Sequence, residues 1–267
     1  MKKGMGNHSG KGWEGAHAPL YRKKHFEQGD AQMEAKTTGA EIQIEPRVAV
    51  VGLGGAGCNI VSMFYNALAP VDTIAINTDK KALDETAADK KIYICKAVTK
   101  GEGTKGDARL GNKCAEVHAD EIEKAIVGHD IVFLISGLGG GTGSGSTPVI
   151  AEICNRNNIL VFAIGINPFS FETDRIPIAR EGLRSIRAVC PNTFTIENDK
   201  ILQVMPDATM AEAMRAVNKS LLGYVDETVA KLVAGIKEEI ASVQSSHTKK
   251  TRFGKMPEIR VAHGIKT

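Results

Sequence analysis

The chain has 267 residues, 42% hydrophobic and 24% charged, with a formal net charge of +3. These values describe a folded protein with room for one large or two small domains; they exclude a disordered chain and give no charge-based reason to expect nucleic acid. No apolar run is long enough for a membrane span, and the N-terminus lacks the apolar centre of a signal peptide.

Residues 1–40 are rich in Gly, Lys, His and Gln without strand or helix periodicity, which predicts a mobile arm. Trp13 and Tyr21 are its groups suited to docking. A folded domain is expected over 45–243, beginning with a buried strand at 47–51, a glycine turn at 52–57 and a helix through Ile60, Val61, Met63, Phe64 and Leu68. Strands follow at 72–76, ending in Asn77-Thr78-Asp79, and at 91–95. The glycine-punctuated stretch 101–106 then leads to one helix from about Gly111 to Val127. The apolar strand 131–135 empties into Gly-Leu-Gly-Gly-Gly-Thr-Gly-Ser-Gly at 137–145, and a helix is expected over 147–156, with Pro148 in its first turn. A strand at 159–165, a helix at 176–188 and a strand at 193–196 continue the alternation.

A last helix from Met210 to Val243 carries Met214, Val217, Leu221, Val225, Val229, Leu232, Ile236 and Ile240 at every third or fourth position. Residues 245–267 hold six Lys or Arg against one acidic residue and predict a solvated basic tail. The five cysteines are odd in number and form no CxxC pair, which predicts reduced, buried thiols of a cytoplasmic protein.

Strands alternating with helices imply an α/β fold: a Rossmann-like parallel sheet with helices on both faces. Ligands on such sheets bind beyond the carboxyl ends of the strands, where every Gly- or Asn-rich segment falls. The GxGxxG pattern at 52–57 alone would fit an NAD-dependent oxidoreductase, with Asp79 on the ribose. A second, richer cradle at 137–145 suits a mononucleotide whose several phosphates are held from two sides. No Walker GK[ST] follows either loop.

The Gly-Gly-Gly-Thr-Gly-Ser-Gly string at 139–145 resembles the signature of the tubulin/FtsZ superfamily, and FtsZ above all. The first glycine loop ending in Asn59, Asn77-Thr78-Asp79, Thr99 to Gly103, Asn167 to Glu172, and Asn198 to Leu202 resemble its other motifs in the same order. The match covers residues 47–235 and implies the GTPase-domain fold ending in a long central helix. It implies that GTP or GDP is bound by Gly54, Gly55, Ala56, Asn59, Asn77, Asp79, Gly106, Gly139, Gly140, Gly141, Thr142, Gly143, Glu172, Arg175, Asn198 and Asn218. The glycines and Thr142 would donate to phosphate, Glu172 accept from ribose hydroxyls, Arg175 offset charge, and Asn198 and Asn218 read guanine. Asp79 would hold a magnesium ion through water.

Two departures shape the expected activity. The terminal-phosphate loop reads Thr104-Lys105-Gly106-Asp107-Ala108 where FtsZ carries Ala-Gly-x-Asn-Pro; Lys105 could reach phosphate, and Asp107 would be repelled by it. Where the family has an acidic inter-subunit loop after the long helix, this chain reads Lys237-Glu238-Glu239-Ile240-Ala241-Ser242. The expectation is therefore a protein reduced to its nucleotide domain, a switch or assembly component with weak or partner-dependent GTP hydrolysis and no assignable catalytic residue. Self-association, or another protein, would use the apolar stripe of the last helix. The competing expectation is a self-polymerising cell-division GTPase of the FtsZ type.

Overall fold

The computed structural model describes residues 45–67, 71–205 and 207–250. The arm expected over 1–40, Leu68 and residues 251–267 of the basic tail lie outside the described residues.

Six strands form one parallel sheet: β1 (Val48–Leu53), β2 (Asp72–Asn77), β3 (Lys90–Tyr93), β4 (Ile131–Gly137), β5 (Leu160–Asn167) and β6 (Thr193–Glu197). Their order is β3-β2-β1-β4-β5-β6. The central strands are continuous apolar runs, with every residue of β1 buried, because both of their faces lie under helices. From β1 the chain first winds outward to β2 and β3. It then crosses back to β4 on the other side, so the order reverses between β1 and β4. That reversal opens a crevice at the carboxyl ends of the strands.

One face is covered by α4 (Ala108–Val117), α5 (Ala119–Ile126), α6 (Gly141–Arg156) and α7 (Arg175–Val189), which bury Cys114, Ile122, Ile150 and Ile186 against β-strand residues such as Leu134. The other carries α1 (Gly54–Asn66), α2 (Lys80–Glu85) and α9 (Met210–Lys250), which bury Phe64, Leu83 and Val217 against Phe133 and Ile164. The short α3 (Lys96–Thr99) and α8 (Asn198–Val204) follow β3 and β6.

Several elements differ from the sequence reading. The helix expected over 111–127 is two, broken at His118, whose Nδ1 lies 3.0 Å from the Cys114 carbonyl while Nε2 accepts from Cys95 N–H. The helix expected from 147 starts six residues earlier, at Gly141, so the glycine cradle is largely its first turn and Pro148 sits inside it. Helix α9 continues through Lys250, past the expected end at Val243. Along it Val217, Leu221 and Val225 are buried and Val229 and Leu232 pack partly against the core, whereas Ile236 is 45% exposed. Cys95 and Cys114 form a disulfide, with Cα atoms 5.2 Å apart, where reduced thiols were expected. Cys58, Cys154 and Cys190 are free and buried.

Candidate functional site

The crevice between β1 and β4 is walled by two helix N-termini. Strands β1 and β4 run in register to their ends, Leu53 beside Ser136, so α1 and α6 begin side by side. Gly54 opens α1 with φ 69°, and Gly139 turns the chain out of β4 with φ 85°. Both are left-handed conformations that cost a glycine little. The two turns touch: a Cβ on Gly54 would lie 3.1 Å from Gly143 N. Among the described residues neither helix has a side-chain cap or an acidic residue in its first turn. Their leading N–H groups and positive dipole ends therefore face one crevice, an arrangement that attracts a polyanion.

Neighbouring helices contrast with this. Asp79 accepts from Ala82 N–H at 2.9 Å and caps α2; Asp107 accepts from Leu110 N–H at 3.0 Å and caps α4. Asp107, expected to repel phosphate, thus spends its charge on a helix start. Lys105 is paired with Glu102 at 2.5 Å, and its ammonium holds the Glu102 carboxyl below the usual range. Among the described residues no cluster of three His, Cys, Asp or Glu side chains is placed to hold a metal.

The loop after β3 closes against the crevice. Thr99 Oγ1 donates to the Thr78 carbonyl, Lys80 N–H to the Gly101 carbonyl, and Asp79 and Glu102 make a single β-bridge. Buried Thr78, Thr104 and Thr142 bring their hydroxyls together, Thr142 lying 2.6 Å from Thr78 and 3.3 Å from Thr104. Thr142 stands out in the sequence by its place in the glycine string, whereas its two hydroxyl partners do not, because Thr at isolated positions carries no local signal.

Along the sheet edge the remaining groups fall in order. After β5, Glu172 accepts from Phe169 N–H at 3.0 Å and from Arg175 at 2.8 Å, while Arg175 packs its backbone against Gly139. Phe171 is 68% exposed and stacks on Phe169. Asn198 starts α8 directly beyond β6 and is buried. Asn59 and Gly55 sit exposed on α1 with Ala56, and Gly106 turns the loop before α4 with φ 89°. Gly140 is the N-cap of α6. Asn218 lies on α9, with its side chain outside the described residues.

Three buried side-chain atoms lack a hydrogen-bond partner among the described residues: Asn77 Nδ2, Ser136 Oγ and Asn198 Oδ1. They stand at the carboxyl ends of β2, β4 and β6, all on the crevice edge. Asn77 Oδ1, by contrast, accepts from Thr78 and Asp79 N–H. A second cavity, about 580 Å³ and mostly apolar, lies between β6, α8 and α9, lined by Phe194, Ile196, Leu221 and Tyr224, with Glu197 and Lys200 among its polar lining. No glycine is among its lining residues.

A sequence model described as the Tubulin/FtsZ family, GTPase domain, matches residues 47–206. "Cell division protein FtsZ 2" of Methanocaldococcus jannaschii is 38% identical over 198 residues, covering 74% of this chain and 50% of that protein. "Cell division protein FtsZ" of Neisseria gonorrhoeae is 37% identical, covering 75% and 50%. The chain thus spans about half the length of the curated relatives it matches. An FtsZ dimer from M. jannaschii superposes with a TM-score of 0.63 at 37% identity, covering 68% of this chain and 54% of that one. CetZ2 from Haloferax volcanii, solved as a GTPγS-bound protofilament, gives 0.60 at 25% identity, covering 67% and 57%. Sequence match, sheet order and paired glycine turns agree, and the chain belongs to the tubulin/FtsZ family.

Proposed function

We propose that this protein binds GTP and GDP along the carboxyl edge of its sheet and works as a nucleotide-dependent switch or assembly component. The observation that carries the reading is the set of orphaned polar atoms on Asn77, Ser136 and Asn198, buried at that edge and nowhere else among the described residues. A buried polar group without a partner costs free energy unless something supplies the bond. The spacing fits a nucleotide. Phosphates belong at the β1/β4 turns, ribose at Glu172 beyond β5, and the base at Asn198 beyond β6. From β4 to β6 is two strand spacings, roughly 10 Å. Asn198 Oδ1 accepts, which suits the N1–H and 2-amino edge of guanine. Asp79 would share a magnesium ion with phosphate oxygens through water. An NAD reading would put that same carboxylate on a ribose and would leave the α6 cradle without a ligand.

Hydrolysis is expected to be weak or partner-dependent. The cradle stabilises charge, but turnover also needs a group that orients water. Among the described residues, the carboxylates nearest the end of the long helix, Glu238 and Glu239, are exposed on α9. Partner contact would use the stripe of α9 beyond Leu232, where Ile236 is uncovered, for self-association or for a second protein. The setting this implies is cytoplasmic, and among the described residues no helix is long and apolar enough to cross a membrane.

Relatives named as cell division proteins favour a second reading, a self-polymerising GTPase of the FtsZ type. Phosphate release measured over a protein concentration series separates the two. Slow release that barely rises with concentration supports the switch. Steep concentration dependence, approaching that of a self-assembling GTPase, overturns the weak-hydrolysis reading and supports the second.

A further inference from the structure

We propose that Cys95 and Cys114 form a reversible thiol–disulfide site, with small disulfides such as glutathione disulfide as co-reactant, that clasps the loop closing over the phosphate crevice. The two cysteines bracket that loop. Cys95 ends the β3 segment in a left-handed conformation, φ 61°, and Cys114 lies on α4. Between them run α3, the turn Gly101–Asp107 and the first turns of α4. Within this span Thr104 reaches the Thr142 hydroxyl, and residues 104 and 107 press directly on Gly141. Joining the ends of the segment restricts how far it can lift from α6.

Without the sulfur bridge, the stretch from Thr99 to Thr104 is tied to the crevice by side-chain and turn contacts: Thr99 to Thr78, Lys80 to Gly101, the Asp79–Glu102 bridge and Thr104 to Thr142, while α4 itself stays packed on α6. His118 links the same two ends through Cys95 N–H and the Cys114 carbonyl, which keeps the cysteines adjacent when they are reduced. The other thiols do not compete. Cys58, Cys154 and Cys190 are buried on other elements, and burial pushes Cys58 up to about 11 and Cys154 up to about 12. A thiol that stays protonated is a poor nucleophile.

The chemistry balances. Both cysteines are buried in the closed fold, Cys95 at 8% exposure and Cys114 at 0%, so the reaction follows local opening of the loop: Cys95 attacks as thiolate and forms a mixed disulfide, releasing one glutathione thiolate. Cys114 then attacks Cys95 Sγ, forming the internal bond and releasing the second. The two cysteines lose two electrons and two protons; glutathione disulfide gains both and leaves as two thiols.

Full-length protein is treated with glutathione disulfide or with dithiothreitol, and thiols are counted after denaturation. Five are expected when reduced and three when oxidised, the chain having five cysteines of which three are free in the fold. Trypsin then reports on the loop, since Lys100 and Lys105 are exposed within it. The oxidised form is expected to be cut there about tenfold more slowly, as cleavage needs local unfolding. Release of a fluorescent GTP analogue is expected to slow about tenfold too, within the usual range of coupling between linked sites. That last expectation rests on the guanine-nucleotide reading. Cys114→Ser should trap one glutathione on Cys95, seen by mass, and make cleavage insensitive to the oxidant. Five thiols persisting after oxidation, or equal cleavage of both forms, overturns the clasp whether or not nucleotide binds. Unequal cleavage with no nucleotide bound in either form upholds the clasp and refutes the nucleotide reading instead. Should the serine variant fail to fold, the oxidised and reduced forms of the parent chain still decide.

Discussion

Alanine at Gly141 is expected to destabilise the protein by about 2–3 kcal/mol, in the range of overpacked sites, and to reduce GTP binding by about 100-fold or more. The added Cβ would lie 2.7 Å from both Asp107 N and Asp107 O and would overlap the Thr104 hydroxyl. The loop before α4 must then move away from the first turn of α6. Thermal melts and titration with a fluorescent GTP analogue measure the two losses. Gly55→Ala separates fold from site. No atom lies within 4 Å of a Cβ built at Gly55, and its φ is ordinary, so the fold does not require glycine there. Within a helix, alanine should hold stability or add up to about 1 kcal/mol. The open space before Gly55 is where phosphate would approach, so affinity should nevertheless fall about tenfold, near the worth of one charged hydrogen bond. A Gly55→Ala protein that binds GTP as tightly as the parent would remove α1 from the phosphate site.

Asn198→Leu is expected to move stability and binding in opposite directions. Among the described residues the buried Asn198 Oδ1 has no partner, and a buried acceptor left unbonded costs about 1–3 kcal/mol. Leucine has nearly the same size and needs no partner, so the melting temperature should hold or rise by a few degrees. GTP affinity should fall about 10- to 100-fold, because guanine would face an apolar group in place of its acceptor. Stability and affinity falling together would mean that Asn198 serves only the start of α8.

The parts of the fold that were legible share one property: they repeat. Apolar runs such as Ile131–Ile135, each followed by Gly or Asn, mark the parallel strands and the edge where the site lies. The start of α6 was misplaced because glycine disfavours helix intrinsically, while close packing of Gly141 and Gly143 onto neighbouring backbone overrides that preference. The roles of Asp79 and Asp107 were recoverable from sequence, since each precedes a short helical run and Asp is a preferred cap. Weighing each only against phosphate, Asp79 as a magnesium holder and Asp107 as a repelled charge, passed over the capping use. The break at His118, the Cys95–Cys114 pair and the threonine cluster depend on contacts between distant segments. Spacing along the chain does not reveal them.

Titrating isotopically labelled protein with GTPγS while following its amide resonances tests the nucleotide site most directly. Saturable shifts should concentrate at Gly54–Gly57 and Gly139–Gly143, with the Asn198 side-chain amide moving as well. Resonances of both glycine turns left undisturbed at saturating GTPγS, or shifts confined to the groove between β6 and α9, would contradict the assignment.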